Sequence, residues 1–247
     1  MPDGLQDRVV LVTGAAKRVG AAIAERLHGA GARVVIHYRG SGEAARERVG
    51  RLNDIRPHSA TCVQADLLDT ASLPGLVEAA RDTWGRLDGL VNNASSFYPT
   101  EVGTATQEQW DDLVGSNMKA PFFLAQAAAP ELRRRGGAIV SIVDVHGERP
   151  MKNHPIYCMA KAGLAMMTRS LARELGPEVR VNGVAPGAIL WPSAGLSDEA
   201  KQTILDRTAL KRPGDPDDIA GAVLFLMVAP YVTGQILAVD GGRSLNI

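Results

Sequence analysis

The stretch VVLVTGAAKRVGAAIAERL, Val9 to Leu27, decides the architecture. Four apolar residues, three of them β-branched, run into Thr13 and Gly14; a short turn follows, then Gly20 and an alanine-rich segment of helical composition. A strand that feeds a helix through a glycine turn leaves backbone N–H groups free at the helix start, with the helix dipole behind them. Such a junction suits a pyrophosphate. The dinucleotide fingerprint GxGxxG is not met, so a plain tight βα turn is the competing reading.

Working outward, the same alternation repeats along the chain. The apolar runs ARVVIHY, ATCVQA, DGLVNN, GAIVSIV, VRVNGVA and QILAVD are separated by longer segments that read as helices, two of them between DGLVNN and GAIVSIV. Runs that are apolar throughout, without polar alternation, predict strands buried on both faces of a parallel sheet. The expectation is an α/β fold: one doubly wound parallel sheet of about seven strands with helices on both faces and ligands at the strands' C-terminal ends. No repeat or linker divides residues 1–247, and the irregular region 188–213 is long enough to serve as a substrate loop or lid.

Composition narrows the function classes. The chain has 27 basic and 27 acidic residues, so no global field attracts nucleic acid or an anionic membrane. Anion binding must come from local clusters. Cys62 and Cys158 lack the spacing of a disulfide framework or a metal site, and both are expected to be buried thiols; no metal is expected. Acidic residues near the start, as in MPDGLQDRVV, and the absence of a long apolar run predict a cytoplasmic protein.

The second strand ends in HYRGS, His37 to Ser41. A free ribose 2′-hydroxyl calls for Asp or Glu there, a 2′-phosphate for arginine. Arg39 and Ser41, with Lys17 across the first turn, therefore predict NADPH over NADH, ordinary surface charges being the alternative. His37 and Tyr38, in the same run, are expected to contact the cofactor with it. Asp66, before Leu67, either accepts a bond from an adenine amino group or caps the next helix. After the fourth strand, LVNNASSFYPT places Asn92 and Asn93 to tie strand end to loop, then Ala94, Ser95 and Phe97. In a chain with 4% aromatics, Phe97 is a candidate platform for a flat ring.

The stretch DVHGERPMKNHPIYCMAK, Asp144 to Lys161, carries the candidate chemistry. Tyr157 and Lys161 lie one helical turn apart, and a nearby ammonium is expected to lower the phenol's pKa into a useful range. Asp144 reads either as a third member of this set or as a loop cap.

These markers together resemble the short-chain dehydrogenase/reductase family over essentially the whole chain: TGAAKRVG from Thr13, Asp66, NNA from Asn92, Asn117 in SNMKAPF, YCMAK from Tyr157, Pro186 with Gly187, and VDGG ending at Gly242. The resemblance implies a single Rossmann-type domain that binds a nicotinamide cofactor, with Asn117, Tyr157 and Lys161 catalytic, and a homotetramer. Two positions depart from the general pattern. Arg18 stands in place of the turn's middle glycine, and Asp144 in place of the serine thirteen residues before the tyrosine. With HYRGS and NNASSFYPT, these departures resemble the pteridine reductase subgroup.

The expected reaction is reduction of a pterin, of the biopterin, dihydrobiopterin or dihydrofolate type, with Tyr157 near Asp144 supplying the proton. Lys161 is expected on the nicotinamide ribose, Arg18 on phosphate and pterin, Ser95 on the pterin edge, and Phe97 over its face. Met151, Leu190 and Trp191 are expected to line the far side. A broader keto-reductase acting on carbonyl or 3-oxoacyl carrier substrates is the alternative, and a non-catalytic NADPH-binding sensor a further one. For the tetramer, the helix from Ile156 to Leu175 offers one apolar stripe, Ala160, Leu164, Met167 and Leu171, for the sheet. A second, Ala162, Ala165, Met166 and Arg169, is left for another subunit.

Overall fold

A computed structural model describes residues 4–190, 195 and 197–245. Seven strands form one sheet: β1 (Val9–Val12), β2 (Arg33–Tyr38), β3 (Ala60–Gln64), β4 (Gly89–Asn92), β5 (Ala138–Ile142), β6 (Arg180–Pro186) and β7 (Ile236–Val239). Their order is β3-β2-β1-β4-β5-β6-β7, and every pairing is parallel. The order reverses between β1 and β4, which opens a crevice outside their carboxyl ends.

The helices connecting them are α1 (Arg18–Gly29), α2 (Gly42–Ile55), α3 (Leu73–Asp82), α4 (Gln107–Val114), α5 (Ala120–Arg135), α6 (Pro155–Leu175), α7 (Asp198–Asp206) and α8 (Pro216–Val228). The two faces of the sheet carry separate cores. Val10 and Val12 of β1 pack with Ile23 and Leu27 of α1 and with Val223 and Leu226 of α8. Val9 and Leu11 point the other way, against Leu76 of α3 and Leu124 and Leu132 of α5. Neighbouring residues of one strand thus serve opposite layers, which is why its sequence is apolar without alternation.

The edges depart from that expectation. β3 is only partly buried, and Leu237 and Ala238 of β7 are exposed, because an edge strand has a neighbour on one side only. Cys158 is buried as expected, but Cys62 on β3 is half-buried. On α6 the first stripe is largely covered. In the second, Ala162, Met166 and Arg169 are exposed while Ala165 packs inside against Val143 and Leu164. The region 188–213 is not wholly irregular, since α7 lies within it, started by a Ser197 side chain that accepts from Ala200 N–H. No helix among the described residues is long and apolar enough to cross a membrane.

Candidate active site

A cleft of about 880 Å³ opens at the crevice where the strand order reverses. Its floor begins with the first βα turn. Gly14 sits at φ 62°, a left-handed conformation that glycine adopts without strain, and a Cβ there would press on Ala94. A Cβ on Gly20 would run into Asn93 Nδ2 and the Gly14 carbonyl. Asn93 needs that closeness, because its Nδ2 donates to Thr13 O at 2.8 Å and to Gly14 O at 3.2 Å, while Thr13 Oγ1 accepts from the N–H groups of Asn93 and Ala94. Asn93 thereby staples the end of β4 to the end of β1 and its turn, the backbone-tying role that the sequence led us to expect of both asparagines and that Asn93 alone fills. Asn92 turns inward to Ser141 Oγ at 3.3 Å.

Arg18 also lies at positive φ, 55°. This explains why its position ordinarily favours glycine, and holding a residue with a Cβ there costs about 1 kcal/mol or more. The first intrahelical bond of α1 is Ala21 N–H to Lys17 O, 3.2 Å, so the preceding turn directs Val19 and Gly20 N–H groups out of the helix. Lys17, Arg18, Arg39 and Asp66 all line this end of the cleft. Asp66 Oδ1 accepts from Leu68 N–H at 3.0 Å, so it caps the turn while facing the cleft. Leu67, buried, lines the same wall.

Of three further residues expected at the cofactor, one lines the cleft and two do not. His37 lines the cleft but is committed to the scaffold: Gly14 N–H donates to its Nδ1 at 3.1 Å, and its Nε2–H donates to Ala65 O at 3.1 Å. Burial lowers its pKa, so it braces the turn as a neutral ring. Tyr38 packs among the core residues beside Gly42, and Ser41 occupies the N-cap position of α2; neither lines the cleft.

At the other end, Asp144 has both readings at once. It caps the short 3₁₀ turn Val145–Gly147 by accepting His146 N–H on Oδ1 at 2.8 Å, and its Oδ2 accepts the Tyr157 hydroxyl at 2.7 Å. Burial and then the Asp144 carboxylate push the Tyr157 pKa well above that of a free phenol. This reverses the expected lowering by Lys161. The ammonium lies 5.6 Å from the phenol ring centre, donates to Ile142 O at 2.8 Å, and is walled off from the cleft. Desolvation brings the Lys161 pKa itself down to about 8, with Asp144 opposing the shift.

Asn117 is likewise behind the cleft wall. It sits in a π-helical turn, Gly115–Lys119, closed by Ala120 N–H on Gly115 O. Its Nδ2 donates to Ser96 O and Leu113 O, both at 2.9 Å, and its Oδ1 is buried with no hydrogen-bond partner among the described residues.

Phe97 stands at the cleft mouth, 44% exposed. It is stacked on His154, ring centres 4.9 Å apart at 14°, and meets Tyr157 edge-on at 4.8 Å and 76°. One face is therefore already occupied by a histidine for which the sequence suggested no role. Its loop is pinned by Asp112, whose Oδ1 accepts from Ser96 Oγ at 3.1 Å and whose Oδ2 accepts from Tyr98 OH at 2.9 Å. Burial and this bond push the Tyr98 pKa up to about 12.

Ser95, Met151 and Leu190 line the cleft, as do Pro186 and Gly187; a Cβ on Gly187 would strike Asp240. Trp191 lies outside the described residues. The cleft also receives His146, Ile204 and Arg243, which sequence reasoning missed. No group of acidic, His and Cys residues among the described residues could hold a metal ion.

The glycine cradle, the outward N–H groups at the start of α1 and the cations beside them fit a nicotinamide dinucleotide. Comparison with known proteins agrees. The model of the enoyl-(acyl carrier protein) reductase family matches residues 14–244. Pteridine reductase 1 of Leishmania tarentolae is 38% identical over 280 residues, covering 96% of each chain. The protein named for ketoacyl reductase 2 of the granaticin polyketide synthase of Streptomyces violaceoruber is 38% identical over 250 residues, covering 98% of each. A 3-oxoacyl-[acyl-carrier-protein] reductase of Staphylococcus aureus is 36% identical over 237 residues, 94% of this chain and 96% of its own. With this sheet, this turn and these relatives, the chain belongs to the short-chain dehydrogenase/reductase family of oxidoreductases, which use a nicotinamide cofactor.

Proposed function

We propose that this protein is an NADPH-dependent pteridine reductase. The observation that carries the reading is the 2.7 Å bond from Tyr157 OH to Asp144 Oδ2, in a cleft where Phe97 presents an aromatic ring beside the phenol. A carbonyl under reduction needs one neutral donor on its oxygen. A pterin ring presents C=N nitrogens to protonate and amino groups that need acceptors, which a carboxylate beside a phenol provides.

Lys17, Arg39 and the start of α1 hold the phosphates in this reading, with Arg39 against the 2′-phosphate. NADPH bound there supplies a hydride to a ring carbon. Tyr157 gives its proton to the adjoining ring nitrogen, so that a C=N bond becomes CH–NH. A phenol whose anion is disfavoured by burial releases its proton only if another replaces it as it leaves. Asp144, already in contact, is the group through which the replacement passes: its carboxylate takes a proton from solvent in the cleft and hands it to the phenol oxygen, while the Lys161 cation behind the ring limits the cost of negative charge building on that oxygen. Asn117, through Ser96 O, steadies the loop that carries Ser95 and Phe97. Met159, Met166 and Phe122, all at least 40% exposed, support a homotetramer built on α5 and α6.

Ketoacyl reduction is the second reading, favoured by relatives of that kind at 38% and 36% identity, beside 38% for the pteridine reductase. An assay of NADPH oxidation with 7,8-dihydrobiopterin, biopterin, dihydrofolate and a small keto ester separates the two. We expect turnover with the pterins. Turnover confined to the keto ester removes the proposal.

A further inference from the structure

The C-terminal VDGG motif reads as a marker without a task, and the structure supplies one. Gly241 and Gly242 both lie at positive φ, 63° and 79°, and Cβ atoms there would meet Thr208 Cγ2 at 3.0 Å and Ala209 Cβ at 2.7 Å. Only glycine lets the chain pass this close beneath the segment that follows α7, where Leu210 N–H donates to Gly241 O at 3.0 Å. Asp240 then fixes the next turn: its carboxylate accepts Gly242 N–H at 2.8 Å and Ser244 N–H at 2.7 Å. The turn Arg243–Leu245 is thereby aimed back at the site.

Arg243 is the side chain so delivered. It lines the main cleft with Asp144, and its neighbour Ser244 shares with Asp144 a smaller cavity of about 60 Å³. Burial lowers its pKa, and the Asp144 carboxylate is the first of the charges that oppose the lowering. Yet the only hydrogen bond of its guanidinium among the described residues is a long one, Nη1 to Ile204 O of α7, 3.4 Å. A guanidinium has five donors in a planar fork. Half-buried at a cleft wall with one of them weakly used, it is built to take oxygen atoms from something that enters the cleft. The cofactor's phosphates already have Lys17, Arg39 and the start of α1 near the first βα turn, away from the Asp144 end.

We propose that Arg243 is a specificity-determining residue that binds an acceptor-oxygen substituent of the substrate, a carboxylate most tightly, between Asp144 and the α7 segment. The proposal rests on the pteridine reading for the identity of the ring, though not for the role of the guanidinium. An anionic substituent gains from the charge. A substituent without oxygen gains nothing and leaves the Arg243 donors facing water.

The test is equilibrium binding, by titration calorimetry in the presence of NADP⁺, of pterin-6-carboxylate and 6-methylpterin to the wild type, Arg243→Met and Arg243→Lys. We expect the wild type to bind the carboxylate at least tenfold more tightly than the methyl compound. That ratio should fall to near one in Arg243→Met and be partly kept in Arg243→Lys. Loosening of α7 through loss of the Ile204 contact would weaken both ligands alike and leave the ratio unchanged, an outcome that overturns the proposal. If the wild type binds neither pterin, the pteridine reading is at fault. The same ratio, taken between turnover of acetoacetate and of its ethyl ester, then decides the role of Arg243: unchanged selectivity in Arg243→Met overturns it, and lost selectivity for the acid upholds it.

Discussion

Replacing Lys161 by Met has a consequence that can be worked from its surroundings. The ammonium is enclosed, 3% exposed, and its pKa falls from 10.5 to about 8. A depression of that size means that folding the cation costs about 3 kcal/mol at pH 7. Below about pH 8 both states hold the proton and the cost is complete. Between there and 10.5 the unfolded chain binds the proton that the folded chain has released, so stability rises with pH; above 10.5 both are neutral and the cost is gone. Methionine fits a similar volume without the charge but gives up the bond to Ile142 O, a loss of ~1 kcal/mol that does not depend on pH. At pH 7 the variant should be the more stable by roughly 2 kcal/mol, and by pH 9.5 that advantage should have shrunk by about 2 kcal/mol. Urea unfolding followed by circular dichroism at half-unit steps from pH 7 to 9.5 measures it. The range stops there because Tyr157, whose pKa is raised, contributes stability that is lost as pH climbs above 10. Parallel curves for the two proteins over this range would show that Lys161 is not a desolvated cation and remove the account of its field on the phenol.

Three more outcomes follow from the geometry. Gly20→Ala drives a methyl group into Asn93 and the Gly14 carbonyl, so it should cost about 1–3 kcal/mol in urea unfolding and weaken NADPH binding measured by fluorescence; an unchanged midpoint contradicts the tight junction. Arg39→Ala should lower the preference for NADPH over NADH by about 10- to 100-fold in KM, the value of one charged hydrogen bond, with little change in Tm. An unaltered ratio means the 2′-phosphate is read elsewhere. Asp112→Ala frees Ser96 and Tyr98, so the Tyr98 pKa should drop from about 12 in an ultraviolet titration and KM for pterins should rise more than kcat falls.

How much of this was legible in the residues depends on the range of the interaction involved. The strands were legible because Val9 to Val12 must satisfy two apolar layers at once, and the cradle because Gly14 and Gly20 obey local steric rules. The edges were not: nothing local to ATCVQA or QILAVD says that β3 and β7 end the sheet, since that follows from strand order. Tyr157 and Lys161 share a helix face as their spacing says, but spacing carries no information on solvent, and it is burial that sets both their pKa values. The stacking of His154 on Phe97 joins residues far apart in the chain, and so does the approach of Arg243 to the cleft. Asn117 was found by its motif, while the π-helical turn that points its amide at Ser96 O leaves no signature in SNMKAPF.

The central claim is that Asp144, through Tyr157, serves protonation of a ring nitrogen. The measurement that reaches it most directly is kcat/KM of Asp144→Ser for 7,8-dihydrobiopterin and for a small keto ester, with Tyr157→Phe as the control that abolishes both while keeping NADPH binding. Serine keeps a cap for His146 N–H and a donor suited to a carbonyl but cannot pass a proton as a carboxyl does. The account predicts a fall of at least 100-fold, about 3 kcal/mol in the barrier, for the pterin, with the keto ester unchanged or improved. Equal losses on the two substrates, or full pterin activity in the serine variant, would contradict it.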